Sequence, residues 1–307
     1  MTKTKWIIDT DLTADVVAVL MLAASRLDDS LRGVTLVQWL ENDPGDRARR
    51  ELETLLPEGV GIYPGVSRSL LNRSGRGFSF YSSEAEDWAG VSAAASPMPH
   101  AVDHMASVLE EASAPVDMLC LGPLTNLALL IRTRPDLKPR IGRVVFRGGS
   151  VAGGDITAAA EYNIYQDPEA AHIVFGAGLD LSMVTLEAAE EAVLTQLEAD
   201  LLRETGKNRA RDFGRAVREF PGRSTGDSTP GVRLYSVLAY LYLEKPELFL
   251  TERHNVRVDL KGDQTRGSTV TDLLDIAGEE SNCEVVLGLA QGDFHGLLEE
   301  RLDQGGF

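Results

Sequence analysis

The chain has 307 residues, 30 of them Lys or Arg against 47 Asp or Glu, for a formal net charge of −17. That length buries a substantial core without staples, and the negative charge excludes a nucleic-acid backbone or an anionic membrane surface as natural partner, leaving a small molecule as the expected ligand. Cys120 and Cys283 lie far apart, with Cys120 inside an apolar run, so a core thiol is expected rather than a disulfide or metal ligand. No apolar run is long and charge-free enough to cross a bilayer, and Met1–Lys5 leads straight into Trp6–Ile8 and then acids, so no signal peptide is expected and a cytoplasmic location fits.

In chain order, Trp6–Ile8 predicts a short buried strand that breaks into an acidic turn, followed by a strongly apolar helical run over Ala14–Ala24. Asp9, Asp11 and Asp15 fall at that junction, where open α/β sheets bind ligands. One of them could cap the helix; three exceed what capping needs. Gly33–Gln38 predicts a second strand, Asp46–Leu56 a helix and Gly59–Tyr63 a third strand. Pro64–Pro99 breaks the pattern as a long surface excursion of the lid or binding-loop type.

The alternation then resumes. Helices are predicted over Ala101–Ala112, Pro123–Thr133 and Pro168–Phe175, and strands over Val116–Leu121, Val144–Phe146 and Leu179–Val184. A Gly-rich loop occupies Val151–Asn163. Leu194–Phe220 reads as charged helix interrupted near Gly206, Pro221–Pro230 as loop and Val232–Leu243 as helix. Val256–Leu260 with Thr265–Val270 predicts a hairpin, and Cys283–Leu287 a last strand. The pattern is that of one α/β domain over 1–307, a doubly wound, mainly parallel sheet with its ligand pocket at the carboxyl ends of the strands.

Two further constellations sit after strands: Leu121-Gly-Pro-Leu-Thr-Asn126, and Ala160-Glu-Tyr-Asn163 followed by Asp167-Pro-Glu-Ala-Ala171. Thr125 and Asn126 suit a helix start as well as a ligand contact, and Asp167 before Pro168 is a good N-cap. Glu161 and Asn163 read as loop residues with no cap to make; an acid and an amide two residues apart suit the hydroxyls of a sugar. The five histidines have no ligand spacing, and neither a serine elbow nor a P-loop is present.

These residues in this order resemble the calcium-dependent nucleoside hydrolase family of N-ribohydrolases, which carries D-x-D-P-G-x-D-D after its first strand, then G-P-L-T-N, M-G-G, A-E-[FY]-N, D-P-E-A-A and a late H-D pair. Asp9-Thr-Asp11, Gly122–Asn126, Arg147-Gly-Gly149, Ala160–Asn163, Asp167–Ala171 and Thr265-Arg-Gly267 carry the match over nearly the whole chain. The resemblance implies Asp11 as general base and calcium ligand, with Asp9 and the Thr125 carbonyl beside it at the metal. It also implies Asp15, Asn126, Glu161 and Asn163 on the substrate, with Asp15 holding the 2-hydroxyl, a ribosylated or polyhydroxylated small molecule as ligand, and a homo-oligomer.

The departures gather on the metal and on the leaving-group side. Val16 replaces a ligand Asp, the H-D pair falls on Tyr235 and Ser236, Leu12-Thr13 replaces Pro-Gly, Leu40 stands near an expected Asn, and the His-Gly segment is missing from Pro64–Pro99. Calcium relies on about six to eight oxygens, many from carboxylates, so the expected cofactor is none, or a weakened calcium at a vestigial site. Arg147, standing where the family has Met, is then a candidate to pair with Asp11 or Asp15 in place of the ion, against the bland alternative of a solvated arginine, and Arg233 is a weaker one. Tyr235 is the candidate proton donor to the leaving group. The expected function is a divergent N-ribohydrolase-like glycosidase with little or no calcium dependence. The alternatives are a non-catalytic sugar-binding homologue and the same pocket turned to a specialised biosynthetic step.

Overall fold

The computed structural model describes residues 4–11, 14–24, 30–37, 53, 56–71, 99–205, 209–219 and 231–303. The replacement at Leu12-Thr13, Leu40, nearly all of the helix expected over Asp46–Leu56, most of the Pro64–Pro99 excursion and the loop expected over Pro221–Pro230 lie outside those residues.

The strands are β1 (Trp6–Thr10), β2 (Leu31–Leu36), β3 (Ile62–Tyr63), β4 (Val116–Cys120), β5 (Ile141–Arg147), β6 (Asp180–Val184), β7 (Val193–Thr195), β8 (Gly231–Arg233), β9 (Phe249–His254), β10 (Val256–Val258), β11 (Thr269–Thr271) and β12 (Cys283–Leu289). Eight of them form one sheet in the order β3-β2-β1-β4-β5-β6-β12-β9. Every neighbouring pair in it is parallel except β12 with β9, which is antiparallel. The mainly parallel sheet read from the alternation of elements is therefore present. The chain winds from β1 outward to β2 and β3, then crosses back to β4 and proceeds the other way. The carboxyl ends of β1 and β4 thus flank the topological switch point, the place where open α/β sheets bind ligands.

Alternation along the strands divides the core between the two faces of the sheet. Ile8, Leu119, Val145, Val184 and Val286 pack with the helices Ala14–Ala24, Arg209–Glu219, Tyr235–Glu244 and Phe294–Asp303. Their strand neighbours Ile7, Met118, Cys120, Phe146, Met183 and Val285 pack with the helices Ala101–Glu111, Thr125–Thr133 and Pro168–Phe175. Both faces being covered is why these strands read as near-continuous apolar runs. Cys120 and Cys283 are free, buried thiols. No helix among the described residues is long and apolar enough to cross a membrane.

Several boundaries move. The third strand shrinks to Ile62–Tyr63, and the helix expected from Pro123 starts at Thr125. The helix expected from Val232 starts at Tyr235, because Gly231–Arg233 pairs antiparallel with Val193–Thr195 and keeps that segment extended. The late hairpin pairs Val256–Val258 with Thr269–Thr271. The antiparallel edge strand Phe249–His254, with exposed and half-buried residues along most of its length, has no apolar run to mark it.

Candidate functional site

The acidic turn after β1 rests on a fixed carboxylate. Register places Asp9 opposite Thr35 of β2 and Cys120 of β4. The Thr35 hydroxyl donates to Asp9 Oδ1 at 2.7 Å and the Asn126 amide donates to the same oxygen at 2.8 Å. Burial pushes the Asp9 carboxyl up to about 7, the two hydrogen bonds working against that rise and the neighbouring charge of Asp11 adding to it. Asn126 also donates to the Leu36 carbonyl at 2.8 Å and accepts from the Val66 N–H at 3.1 Å. Asn126, expected on the substrate, thus has its amide engaged in tying β1, β2 and the segment after β3 together. Thr125 turns its hydroxyl to Asp167 Oδ2 at 2.8 Å, and Asp167 caps the helix Pro168–Phe175 through the Ala170 N–H, as its place before Pro168 suggests.

Asp11 stands at the mouth of the switch point, packed against the start of the β4 loop. A Cβ on Gly122 would lie 2.8 Å from the Asp11 backbone nitrogen, so only glycine admits this approach. Asp15 lies in the first turn of the helix Ala14–Ala24 and is buried. Its Oδ2 accepts the backbone N–H of Ser236 at 2.6 Å, and both of its carboxylate oxygens lie 3.3 Å from Arg147 Nη1.

Arg147 ends β5, in register with Val184 of β6. It is not a solvated arginine: its side chain is 11% exposed and that of Asp15 is 8% exposed. Nη1 also donates to Ser236 Oγ at 2.9 Å, and the guanidinium carbon lies 5.0 Å from the centre of the Tyr235 ring. Burial opposes the charge on Arg147, yet Asp15, Asp11 and Glu161 together outweigh it and hold the guanidinium above its ordinary pKa. At an effective dielectric of about 20, unit charges roughly 4 Å apart attract by on the order of 4 kcal/mol.

Tyr235, the expected proton donor, has its hydroxyl committed to the protein. Its hydroxyl donates to the Val184 carbonyl at 2.7 Å, and burial, with the Glu161 charge, raises its pKa well above the ordinary phenol value. What it offers the site is the face of its ring under Arg147.

Glu161 and Asn163 lie at a helix start rather than on a capless loop. Glu161 is the N-cap of the five-residue helix Tyr162–Gln166, and its Oε2 accepts the N–H groups of Asn163 at 2.9 Å, Gly149 at 3.0 Å and Ile164 at 3.2 Å. Asn163 donates to the carbonyls of Leu121 and Arg147, both at 3.1 Å, clamping the ends of β4 and β5. One acceptor of each residue, Glu161 Oε1 and Asn163 Oδ1, is buried with no hydrogen-bond partner among the described residues. Burial and the Asp155 charge push Glu161 up to about 7 against the pull of Arg147 and the backbone donors. Gly149, at φ +72°, makes the turn that presents its N–H to Glu161.

The structure thus brings Asp15, Arg147 and Tyr235 into one contact group, with the charges of Asp11 and Glu161 acting on Arg147, Asn163 on its carbonyl and Asp9 next to Asp11. Three supporting residues had no motif to mark them. Thr35 lies inside an ordinary strand; Asp155 accepts the Tyr162 N–H at 2.9 Å and its charge acts on Glu161; Thr269 pins the turn after Arg147, accepting from the Ser150 N–H at 2.9 Å and donating to the Ser150 carbonyl at 2.6 Å. Only the neighbouring Thr265-Arg-Gly267 segment hinted at the last.

A family model described as inosine-uridine preferring nucleoside hydrolase matches residues 6–296. The chain belongs to the nucleoside hydrolase family. Its relatives include the pyrimidine-specific ribonucleoside hydrolase RihA of Enterobacter sp. (strain 638), 35% identical over 206 residues, a match covering 66% of each chain and so just under two thirds of that relative's length. Solved nucleoside hydrolases share the whole architecture. The plant nucleoside hydrolase PpNRh1 superposes with a TM-score of 0.83 at 23% identity, covering 97% of this chain and 98% of that one. The purine-preferring ribonucleoside hydrolase from Gardnerella vaginalis gives 0.78 at 26% identity, covering 98% of both.

Proposed function

We propose that this nucleoside hydrolase homologue is a divergent N-glycosidase that binds the sugar of a ribosylated small molecule and hydrolyses its C–N bond without calcium. The observation that carries the reading is the pair of buried acceptors Glu161 Oε1 and Asn163 Oδ1, which lack protein donors among the described residues. Buried acceptors cost free energy unless a ligand supplies hydrogens, and sugar hydroxyls are donors of the right kind.

What supports the calcium-free reading is that, of the donors expected at the metal, Asp11 and the Thr125 carbonyl are left without enough neighbouring carboxylates to complete the set. Both Asp15 oxygens are engaged by Arg147 and one by Ser236, and Asp9 Oδ1 by Thr35 and Asn126. Val16 is buried in the core. No group of three or more His, Cys, Asp or Glu side chains among the described residues is arranged to hold a metal, whereas calcium draws on about six to eight oxygens.

The chemistry then falls to the chain itself. Asp11 takes a proton from water as the water oxygen bonds the anomeric carbon; the C–N bond breaks, and its electron pair leaves with the nitrogen. Positive charge develops on the sugar ring, and the surrounding carboxylates stabilise it. With the Tyr235 hydroxyl committed to Val184, the leaving group departs as a stabilised anion or takes its proton from water, which favours electron-poor heterocycles.

Sugar release from inosine and uridine, measured with and without chelator, tests this, alongside calorimetric titration with ribose. Turnover unaffected by chelator is expected, falling at least about 10- to 100-fold in Asn163→Ala, which removes the acceptor offered to the sugar together with the two hydrogen bonds that clamp β4 and β5. Chelator-sensitive turnover would overturn the calcium-free reading. Ribose binding without turnover would reassign the chain as a sugar-binding protein, and the absence of both binding and turnover would sink the proposal.

A further inference from the structure

We propose that the Arg147 guanidinium is the built-in cation of this site, seated between Asp15 and Ser236 where a divalent ion would otherwise balance the acids, so that the pocket takes no calcium. Arg147, Asp15 and Ser236 come from the end of β5 and from two separate helices, and they meet in a contact that is almost wholly buried. Nη1 is equidistant, at 3.3 Å, from the two oxygens of Asp15, the placement of a cation shared by a carboxylate rather than of one end-on hydrogen bond. The Tyr235 ring supports the guanidinium from one side, and the Ser236 N–H fixes Asp15 from another.

The substitution is consistent at each position. Val16, beside Asp15, turns into the core, and Ser236 offers Arg147 an uncharged acceptor. A guanidinium stays charged at any pH the fold survives and cannot be chelated or exchanged. A calcium ion entering here would have to expel it, and would then meet Val16 and Ser236 where it needs carboxylates. The inference deepens the calcium-free part of the proposed function and rests on it; it holds whether or not hydrolysis occurs.

Equilibrium dialysis with radiolabelled calcium, together with thermal unfolding, tests it on the full chain and on Arg147→Lys and Arg147→Met. The wild type and Arg147→Lys are expected to take up no calcium and to melt at the same temperature in chelator as in millimolar calcium or magnesium chloride at matched ionic strength. Arg147→Met is expected to melt lowest and Arg147→Lys between, because lysine keeps the charge but loses the shared contact. One ion per wild-type chain, a melting temperature that falls with chelator, or an Arg147→Met variant as stable as wild type overturns the proposal. If Arg147→Met does not fold, Arg147→Lys decides: partial loss without calcium uptake supports the assignment, and uptake refutes it. Ribose titration of the same samples separates the two readings, since absent ribose binding with absent calcium uptake removes the function and leaves the cation in place.

Discussion

Asp9 lies beneath the site, and its chemistry is that of a buried acid held by neutral donors. Its carboxyl is raised from 3.8 to about 7 chiefly by burial. A folded-state value above the unfolded one means that the native protein keeps a proton the unfolded chain releases. Stability from this group is complete below the unfolded value and is lost as pH rises through about 7. Asp9→Asn removes that dependence while preserving an oxygen to accept from Thr35 and Asn126. Urea unfolding at about pH 5 and about pH 8 should show the wild type losing a few kcal/mol more than the variant across that interval. Parallel losses would mean that Asp9 ionises freely in the fold. Glu161, raised for a related reason, contributes to both proteins alike and does not affect the comparison. At this scale the sequence was informative about which residues converge and poor about what each does. Asn126 and Tyr235 are buried beside the converging residues, yet their polar ends face protein, because hydrogen-bond direction depends on neighbours such as Leu36, Val66 and Val184 that no local motif encodes.

At the level of elements, the strands were legible because their burial on both faces leaves long apolar runs, and the switch point followed from their alternation with helices. The helix Tyr162–Gln166 was not. Five residues give no 3.6-residue period to detect, so the cap at Glu161 looked like a free loop acid. The hairpin β10–β11 was visible, but its purpose was not: Thr269 reaches across to hold Ser150, 119 positions away in sequence. The hairpin thereby fixes the turn that carries Arg147 and Gly149. Thr269→Val keeps the shape and removes both hydrogen bonds, leaving the N–H and carbonyl of Ser150 unpaired. We expect a loss of about 1–3 kcal/mol in urea unfolding and a weaker ribose affinity by calorimetry. Lost stability with intact ribose affinity would make the hairpin a structural brace alone and separate it from the site.

Across the whole molecule, a net charge of −17 adds a long-range term to which the local pairs are indifferent. Mutual repulsion among an excess of acids opposes the compact state, and it is screened by any salt, since the Debye length falls from about 30 Å at 0.01 M to about 8 Å at 0.15 M ionic strength. The buried Arg147–Asp15 pair is shielded from that change by its surroundings, because screening acts chiefly on exposed charges. The melting temperature should therefore rise as sodium chloride is added from low to physiological strength and then level off, with magnesium and calcium chloride following one curve when plotted against ionic strength. A response that is flat from the start would mean that the surface acids are already locally balanced. A calcium curve lying above the magnesium curve would mean that an ion is captured rather than merely screening. The same titration therefore measures the charge of the whole chain and tests the cation assigned to its centre.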